Sequence, residues 1–380
     1  MTAMTELFMS TFAAAAVLGA SAQATRFCPR GGLRETLLER KPTQPATTRV
    51  VVGAALVAVT LLQLAFGQTL IPSRPACTGP ELPWGRHVLG GLLFGAGMKL
   101  AHGCPLRTPV RVDQGSLPAA LVLAVMVLAA DAMSRTSLCG LRFAPWIDGG
   151  ALDRRRFGLA HPDLATVPGL GRTGAHAVLG LVLGAMALVL CWWAPPLRRS
   201  WGLWLGPVLI GMVVAAGDAL TAGPSGQRQR ASERAPFMGQ PPDGLGVQSY
   251  TFAGPQSDAP LVLLQPSSQT TTFGVMAVAC ARLGALLAVL LRCDFRPQGV
   301  AGWRVGARQL FGAVLTGGGA LLGLGRSVGD GLSRVSVLSL GSMPGLASIF
   351  TGAWLATRLE AGRRAAPPAG VAGYTAAVGG

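Results

Sequence analysis

The sequence predicts an all-α integral membrane protein with about nine transmembrane helices, set out as two inverted repeats and interrupted by short broken or re-entrant helices. Three observations carry this expectation. Half of the 380 residues are apolar, only 13% are charged and mean hydropathy is +0.47, too little charge for water to solvate the whole surface. Apolar stretches long enough to cross a hydrocarbon layer of about 30 Å recur along the whole chain, each bounded by arginine, proline or glycine clusters. A glycine-rich pattern also occurs twice, once in each half.

In chain order the expected spans fall near residues 6–25, 50–70, 86–101, 117–133, 174–194, 201–221, 272–292, 308–324 and 339–357. The first ends in an Ala-Ser-Ala run at Ala22 that imitates a signal-peptidase site. Its leading part holds Glu6 and neither lysine nor arginine, so it reads as a span. The third and eighth are short and glycine-rich. Segments 135–173 and 222–271 are rich in Gly, Pro, Arg and Asp without a period of either kind, and read as external loops. The second has room for a short helix or re-entrant piece at the apolar run Leu261-Val262-Leu263-Leu264. Residues 1–135 therefore form a first membrane repeat, 136–199 a loop and a joining helix, 200–360 a second repeat, and 361–380 a disordered tail of Ala, Gly and Pro.

The repeat is carried by named residues. Gly90-Gly91-Leu92-Leu93-Phe94-Gly95-Ala96-Gly97, followed by Gly103-Cys104 and then Gly115-Ser116-Leu117-Pro118, matches Gly312-Ala313-Val314-Leu315-Thr316-Gly317-Gly318-Gly319. The second copy continues to Gly325-Arg326 and Gly341-Ser342-Met343-Pro344. Four spans in each half, joined by a single span at 174–194, turn the second copy upside down relative to the first, an architecture of transporters and channels. Most of the 53 glycines are expected to let apolar helices approach closely where lipid offers no hydrophobic drive.

The net charge of +16 is almost wholly arginine, since Lys41 and Lys99 are the only lysines. Cationic loops beside spans are held in the cytoplasm, and no nucleic-acid partner is expected. If the first span ends inside, the segments with Arg26 to Arg49, with Arg292 to Arg308 and with Arg358 to Arg364 are cytoplasmic. The N-terminus is then outside and the C-terminus inside. The run Arg154-Arg155-Arg156 opposes this assignment, because it falls outside.

Close packing does not account for Gly103-Cys104-Pro105. Proline after Gly-Cys breaks a helix and frees backbone groups, which survive at membrane depth only if protein buries them or an aqueous path runs past. The helix resuming beyond Pro105 would turn its positive end toward that path, with Arg107 and Arg111 adding positive field. His102, just before the pair, reads equally as a packed polar residue or a pH-sensitive gate.

Seven cysteines occur. Cys191, Cys280 and Cys293 sit in or beside apolar spans as small hydrophobes, while Cys77 and Cys139 fall in external segments where a disulfide is open. No CxxC pair or His-Cys cluster has zinc spacing, and no nucleotide-binding motif is present, so no metal or other cofactor is expected. Cys28 lies in Arg26-Phe27-Cys28-Pro29-Arg30-Gly31-Gly32-Leu33-Arg34, and Cys104 in His102-Gly103-Cys104-Pro105-Leu106-Arg107. Each thiol stands beside Pro, Gly and Arg.

These two motifs resemble the paired signatures of the YeeE/YedE sulfur-transport family. So do Gln248-Ser249-Tyr250-Thr251-Phe252-Ala253-Gly254-Pro255, Thr272-Phe273-Gly274-Val275, Leu321-Leu322-Gly323-Leu324-Gly325 and Gly329-Asp330-Gly331-Leu332-Ser333. The resemblance implies an hourglass of helices in a bacterial inner membrane, conducting thiosulfate or a related sulfur anion past reactive cysteines. Cys28 and Cys104 match the path cysteines. The second-half Gly-Cys is absent, because Gly325 is followed by Arg326. The expected substrate path is therefore Cys28, Cys104, Gly103, Arg107, His102 and Arg326.

Thiosulfate joins a soft terminal sulfur to hard oxygens. Neutral thiols suit the first, and arginine and helix N-termini the second. Arg326 would hold an anion more tightly than a thiol, or else only anchor a loop at the interface. One rival expectation is a membrane sulfur carrier that passes persulfide sulfur to a cytoplasmic, TusA-like sulfurtransferase, which needs a nucleophilic thiolate. Another is a non-specific channel or assembly factor, in which the Gly-Cys elements serve packing alone.

Overall fold

The computed structural model describes residues 2–28, 31–32, 35–36, 43–66, 81–82, 84–135, 152–153, 172–193, 200–223, 226, 250, 252–264, 273–299, 302–324 and 342–365. Among them the chain is helical: α1 (Thr2–Ala24), α2 (Thr43–Phe66), α3 (Trp84–Leu100), α4 (Arg107–Asp113), α5 (Leu117–Arg135), α6 (Arg172–Trp192), α7 (Gly202–Ala222), α8 (Ala253–Leu264), α9 (Phe273–Leu291), α10 (Trp303–Leu324) and α11 (Ser342–Ala365). Each expected apolar segment coincides with a helix. The two short pieces, α4 and α8, arise at the Gly-Cys-Pro break and at the apolar run of segment 222–271. α10 begins five residues before the expected span, and α11 runs on into the expected tail as far as Ala365. The remainder of that tail, Cys77, Cys139 and Arg326 lie outside the described residues.

By length and composition α2, α7 and α9 can each cross a membrane, and α1, α5 and α6 carry shorter apolar stretches at Phe8–Ala24, Leu117–Met133 and Ala177–Trp192. Large apolar side chains point outward: Val178, Val182, Met186, Val189 and Leu190 of α6 and Leu283, Leu287 and Leu290 of α9 are exposed. In water this surface would be unfavourable; in lipid it is solvated. Trp193 and Trp201 at the facing ends of α6 and α7, and Trp303 at the start of α10, are also exposed, as rings at a membrane interface are.

The interior is built from small residues. α3 crosses α10 at the two copies of the repeated glycine pattern, where a Cβ added at Gly319 would lie 2.5 Å from the Phe94 nitrogen and 2.9 Å from the Gly90 carbonyl. At Gly97 it would lie 2.5 Å from the Thr316 nitrogen. Backbone meets backbone there, as helix association in lipid favours. α3 also packs on α11, α10 on α5, α1 on α9 and α7, and α2 on α7 and α6. Exchanging α1, α2, α3 and α5 with α7, α9, α10 and α11 turns the α3–α11 contact into α10–α5 and the α1–α9 contact into α7–α2. The α3–α10 and α1–α7 contacts map onto themselves.

Several helices end in the left-handed conformation. After α1, Phe27 N–H donates to Ala22 O and Arg26 N–H to Gln23 O, with Arg26 at φ 52°. After α9, Asp294 N–H reaches Val289 O and Cys293 N–H reaches Leu290 O, with Cys293 at φ 50°. These paired bonds satisfy carbonyls that a helix end otherwise leaves open. α4 ends in the same way at Gly115, whose φ is 89°. The chain 294–298 then lies along 114–117, with Arg296 N–H donating to Gln114 O at 2.9 Å and Leu117 N–H to Gln298 O at 3.1 Å. A Cβ on Gly115 would stand 2.8 Å from Phe295 Cζ. Gly115→Ala is therefore expected to cost about 1–2 kcal/mol from the left-handed backbone alone, read as a lower melting temperature in detergent. Gly174→Ala, whose Cβ meets nothing within 4 Å, is expected to leave that temperature unchanged.

Glu81 pairs with Asp153 and Leu82 with Leu152 in a two-residue antiparallel ladder, which ties the segment after α2 to the segment after α5.

Candidate functional site

The two thiols singled out in the sequence meet. Cys28 Sγ lies 3.8 Å from Cys104 Sγ, although 76 residues separate them. Each is delivered by the end of a helix. Beyond α1 the left-handed Arg26 turns the chain so that Phe27 is buried and Cys28 half-buried. Beyond α3 the left-handed His102, at φ 56°, turns it through Gly103 to Cys104, which is 3% exposed. Phe94, Met98, Ala320, Leu106 and Ile349 enclose the pair, so α3, α10 and α11 supply its walls. An apolar cavity of about 290 Å³, lined by Leu121, Val122, Trp303 and Leu310, lies between α5 and α10 and does not include the thiols.

Local bonds fix the Cys104 turn. Thr108 donates to Cys104 O from both its N–H and its hydroxyl, each at 2.9 Å. Gly103 leaves room for this arrangement, since a Cβ there would collide with the Thr108 hydroxyl. The Arg107 N–H points at Cys104 Sγ at 3.3 Å, so this donor at the start of α4 is engaged by the thiol. Gln256 Nε2, from α8, donates to Pro105 O at 2.8 Å.

Arg107 and Arg111, expected near the path, are tied to helix ends, and so is Arg292. Arg107 Nη1 donates to Ala22 O at 3.3 Å and Arg292 Nη1 to Ala24 O at 3.4 Å, both at the close of α1. Arg111 Nη1 donates to His102 O at 3.0 Å beyond the close of α3. Cations at helix C-termini answer the partial negative charge there. His102 Nε2 lies 3.2 Å from Arg308 Nη2. A guanidinium has only donors, so the ring nitrogen accepts.

Three charged residues not singled out by sequence join this end of the molecule: Glu360 accepts from Lys99 Nζ at 2.9 Å and forms an ion pair with Arg308 Nη1 at 2.9 Å. A second hub is Asp294, which accepts from Gln23 Nε2 at 3.4 Å and Gln114 Nε2 at 3.3 Å and pairs with Arg296 Nε at 2.9 Å. Arg282, on the apolar helix α9, pairs with Asp113 at 3.0 Å. A lone charge in an apolar span was the available signal for Arg282. Glu360 carried none, because Lys99 and Arg308 are remote in sequence, and beside Asp294 only Arg296 is near, while Gln23 and Gln114 are remote.

Of the other described cysteines, Cys191 and Cys280 are packing residues and Cys293 is not. Cys191 is buried and donates to Ala46 O at 3.4 Å, Cys280 is buried in the cluster of Ala15, Leu18 and Phe273, and Cys293 is exposed at a helix end. Tyr250 joins that same cluster, 3% exposed, with its ring 5.6 Å from Phe273. Among the described residues no group of three or more His, Cys, Asp and Glu has a metal-binding arrangement.

A family model described as "Sulphur transport" matches residues 24–355. The chain is 24% identical to "Thiosulfate transporter TsuA" of Escherichia coli (strain K12), an alignment that covers 94% of this chain and 95% of that protein.

Proposed function

The chain belongs to the sulphur transport family, and from that premise we propose that it takes up a small sulfur-containing anion, thiosulfate, past Cys28 and Cys104. The observation that carries the reading is the 3.8 Å pair of thiols beyond the ends of α1 and α3. Two S–H groups in this setting offer weak, polarisable donors to a terminal sulfur, and the surrounding arginines favour negative charge over neutral solutes. The full length of the match to a thiosulfate transporter supports the substrate.

On this reading nine helices cross a bacterial inner membrane, with the N-terminus outside and the C-terminus cytoplasmic. The interfaces that map onto one another when the halves are exchanged support two inverted repeats. Gly103 and His102 hold the turn, Arg107 holds the end of α1 beside it, and Arg326 stands in the second repeat where the family has a thiol. The hydrophobic enclosure of Cys104 describes a closed state, which admits substrate when α10 or α11 shifts against α3.

The test is uptake of labelled thiosulfate, sulfite and sulfate into proteoliposomes by the native protein and by Arg326→Cys. Thiosulfate is expected to enter in preference to sulfate, and Arg326→Cys to widen that preference. Equal uptake of all three by both proteins would remove the sulfur-specific reading.

The short thiol separation also favours a second reading. A thiolate could attack the sulfane sulfur of thiosulfate, release sulfite and retain a persulfide for a TusA-like sulfurtransferase. Mass spectrometry during turnover separates the two: a persulfide on Cys28 or Cys104 supports the carrier, and unmodified thiols support conduction.

A further inference from the structure

Pro105 stands where the backbone resumes helical geometry. The Cys104 carbonyl accepts the N–H of Thr108, four residues on, and Leu106 has φ −76° and ψ −44°. In that register the Pro105 carbonyl is due the N–H of residue 109. Residue 109 is a proline and has none. The carbonyl that follows the functional thiol is thus left without its helical donor by the sequence itself, in a buried position where a lone acceptor is unfavourable.

The missing donor arrives from the other half of the chain. Gln256, 6% exposed, donates from Nε2 to Pro105 O at 2.8 Å across 151 positions of sequence. A carbonyl only accepts, so this bond fixes which way the amide faces. The amide oxygen is buried and has no protein partner among the described residues, which makes Pro105 the group that orients this side chain. α8 is itself seated closely, since a Cβ on Gly274 of α9 would lie 2.5 Å from Pro255 Cγ. Gln256 N–H also donates to Phe252 O at 3.0 Å.

We infer that Gln256 is a positioning residue for the thiol pair: it supplies the N–H that Pro109 withholds, fixes the turn carrying Cys104, and so sets the Cys28–Cys104 spacing on which uptake depends. The inference rests on the transport reading above. It also makes one repeat hold the reactive turn of the other, so a movement of α8 reaches Cys104 through a single hydrogen bond.

The experiment compares the native protein with Gln256→Met, which keeps the length and removes the donor, and with Gln256→Met combined with Pro109→Ala, which returns a backbone N–H to the helical position. Two quantities are read in proteoliposomes: the rate of labelled thiosulfate uptake, and the rate of Cys104 alkylation by N-ethylmaleimide, resolved peptide by peptide with Cys280 as internal reference. Gln256→Met is expected to lower uptake about tenfold and to speed Cys104 alkylation about fivefold, the scale set by one buried hydrogen bond. The added Pro109→Ala is expected to bring both rates back to within about twofold of native.

Native uptake and native alkylation in Gln256→Met would overturn the inference. So would a loss that Pro109→Ala fails to reverse in monodisperse protein, because a fold defect unrelated to the Pro105 carbonyl has no reason to be cured there. If Gln256→Met does not reach the membrane, Gln256→Asn, which keeps the amide one methylene short of the carbonyl, is scored by the same two rates and the same suppressor. Absence of uptake by the native protein would defeat the transport reading, and the alkylation contrast would still decide the role of Gln256.

Discussion

Cys104→Ala is expected to lower thiosulfate uptake at least about a hundredfold, equivalent to about 2.7 kcal/mol in the barrier to passage, while the protein inserts at native level. Cys104 is 3% exposed, carries the Arg107 N–H on its sulfur and faces Cys28. Its loss therefore removes one of two soft partners where an anion would be most confined. Loss of Cys28, which is half-buried, is expected to be milder. Cys280→Ala and Cys191→Ala, in packed clusters, are expected to leave uptake unchanged. Labelled-substrate uptake, normalised to protein in the membrane, checks all four; full uptake by Cys104→Ala would end the thiol-path reading.

Gly319→Val is expected to prevent assembly. A single Cβ at this position already comes within 2.5 Å of a backbone nitrogen and 2.9 Å of a backbone carbonyl on α3, and neither atom can move without displacing the helix. Overpacking a close core costs about 1–3 kcal/mol where side chains can yield, and here the contact is backbone against backbone. The adjacent Gly318 is different, because its Cβ would meet nothing nearer than Met133 Cγ at 3.7 Å. Gly318→Ala is therefore expected to accumulate normally. Size-exclusion profiles of the two variants in detergent check the contrast, and a native profile for Gly319→Val would show that the α3–α10 contact can open without loss of the fold.

Local features were legible in the sequence because their causes are local. Hydropathy marked each apolar helix, since a span must be continuously apolar whatever it packs on. The repeated glycine pattern marked both segments for close packing; that its two copies cross each other, α3 on α10, is seen only in the structure. Gly-Cys-Pro marked the break before α4, because proline cannot continue a helix. Cys28 and Cys104 were singled out through their neighbours and through likeness to a family, and the 3.8 Å contact joins them.

What could not be read comes from long-range geometry. Nothing around Gln256 announces that its amide will satisfy Pro105, and nothing near Glu360 announces Lys99 and Arg308. The residues are 151, 261 and 52 positions away from those partners, and single polar side chains are too common to mark a site. The arginines were expected to lend positive field to a path. Their attachment to the ends of α1 and α3 required knowing where those ends point. The Glu81–Leu82 ladder was illegible for another reason, since two residues cannot express a period.

Because the guanidinium groups of Arg107, Arg111 and Arg292 are anchored to main-chain carbonyls, they are not free counter-ions waiting to be recruited. Their conformational entropy was surrendered when the chain folded, so a passing solute would not have to immobilise them again at each cycle. The positive charge at these helix ends is thus part of the scaffold, and on the transport reading proposed above an anion would meet it already in place.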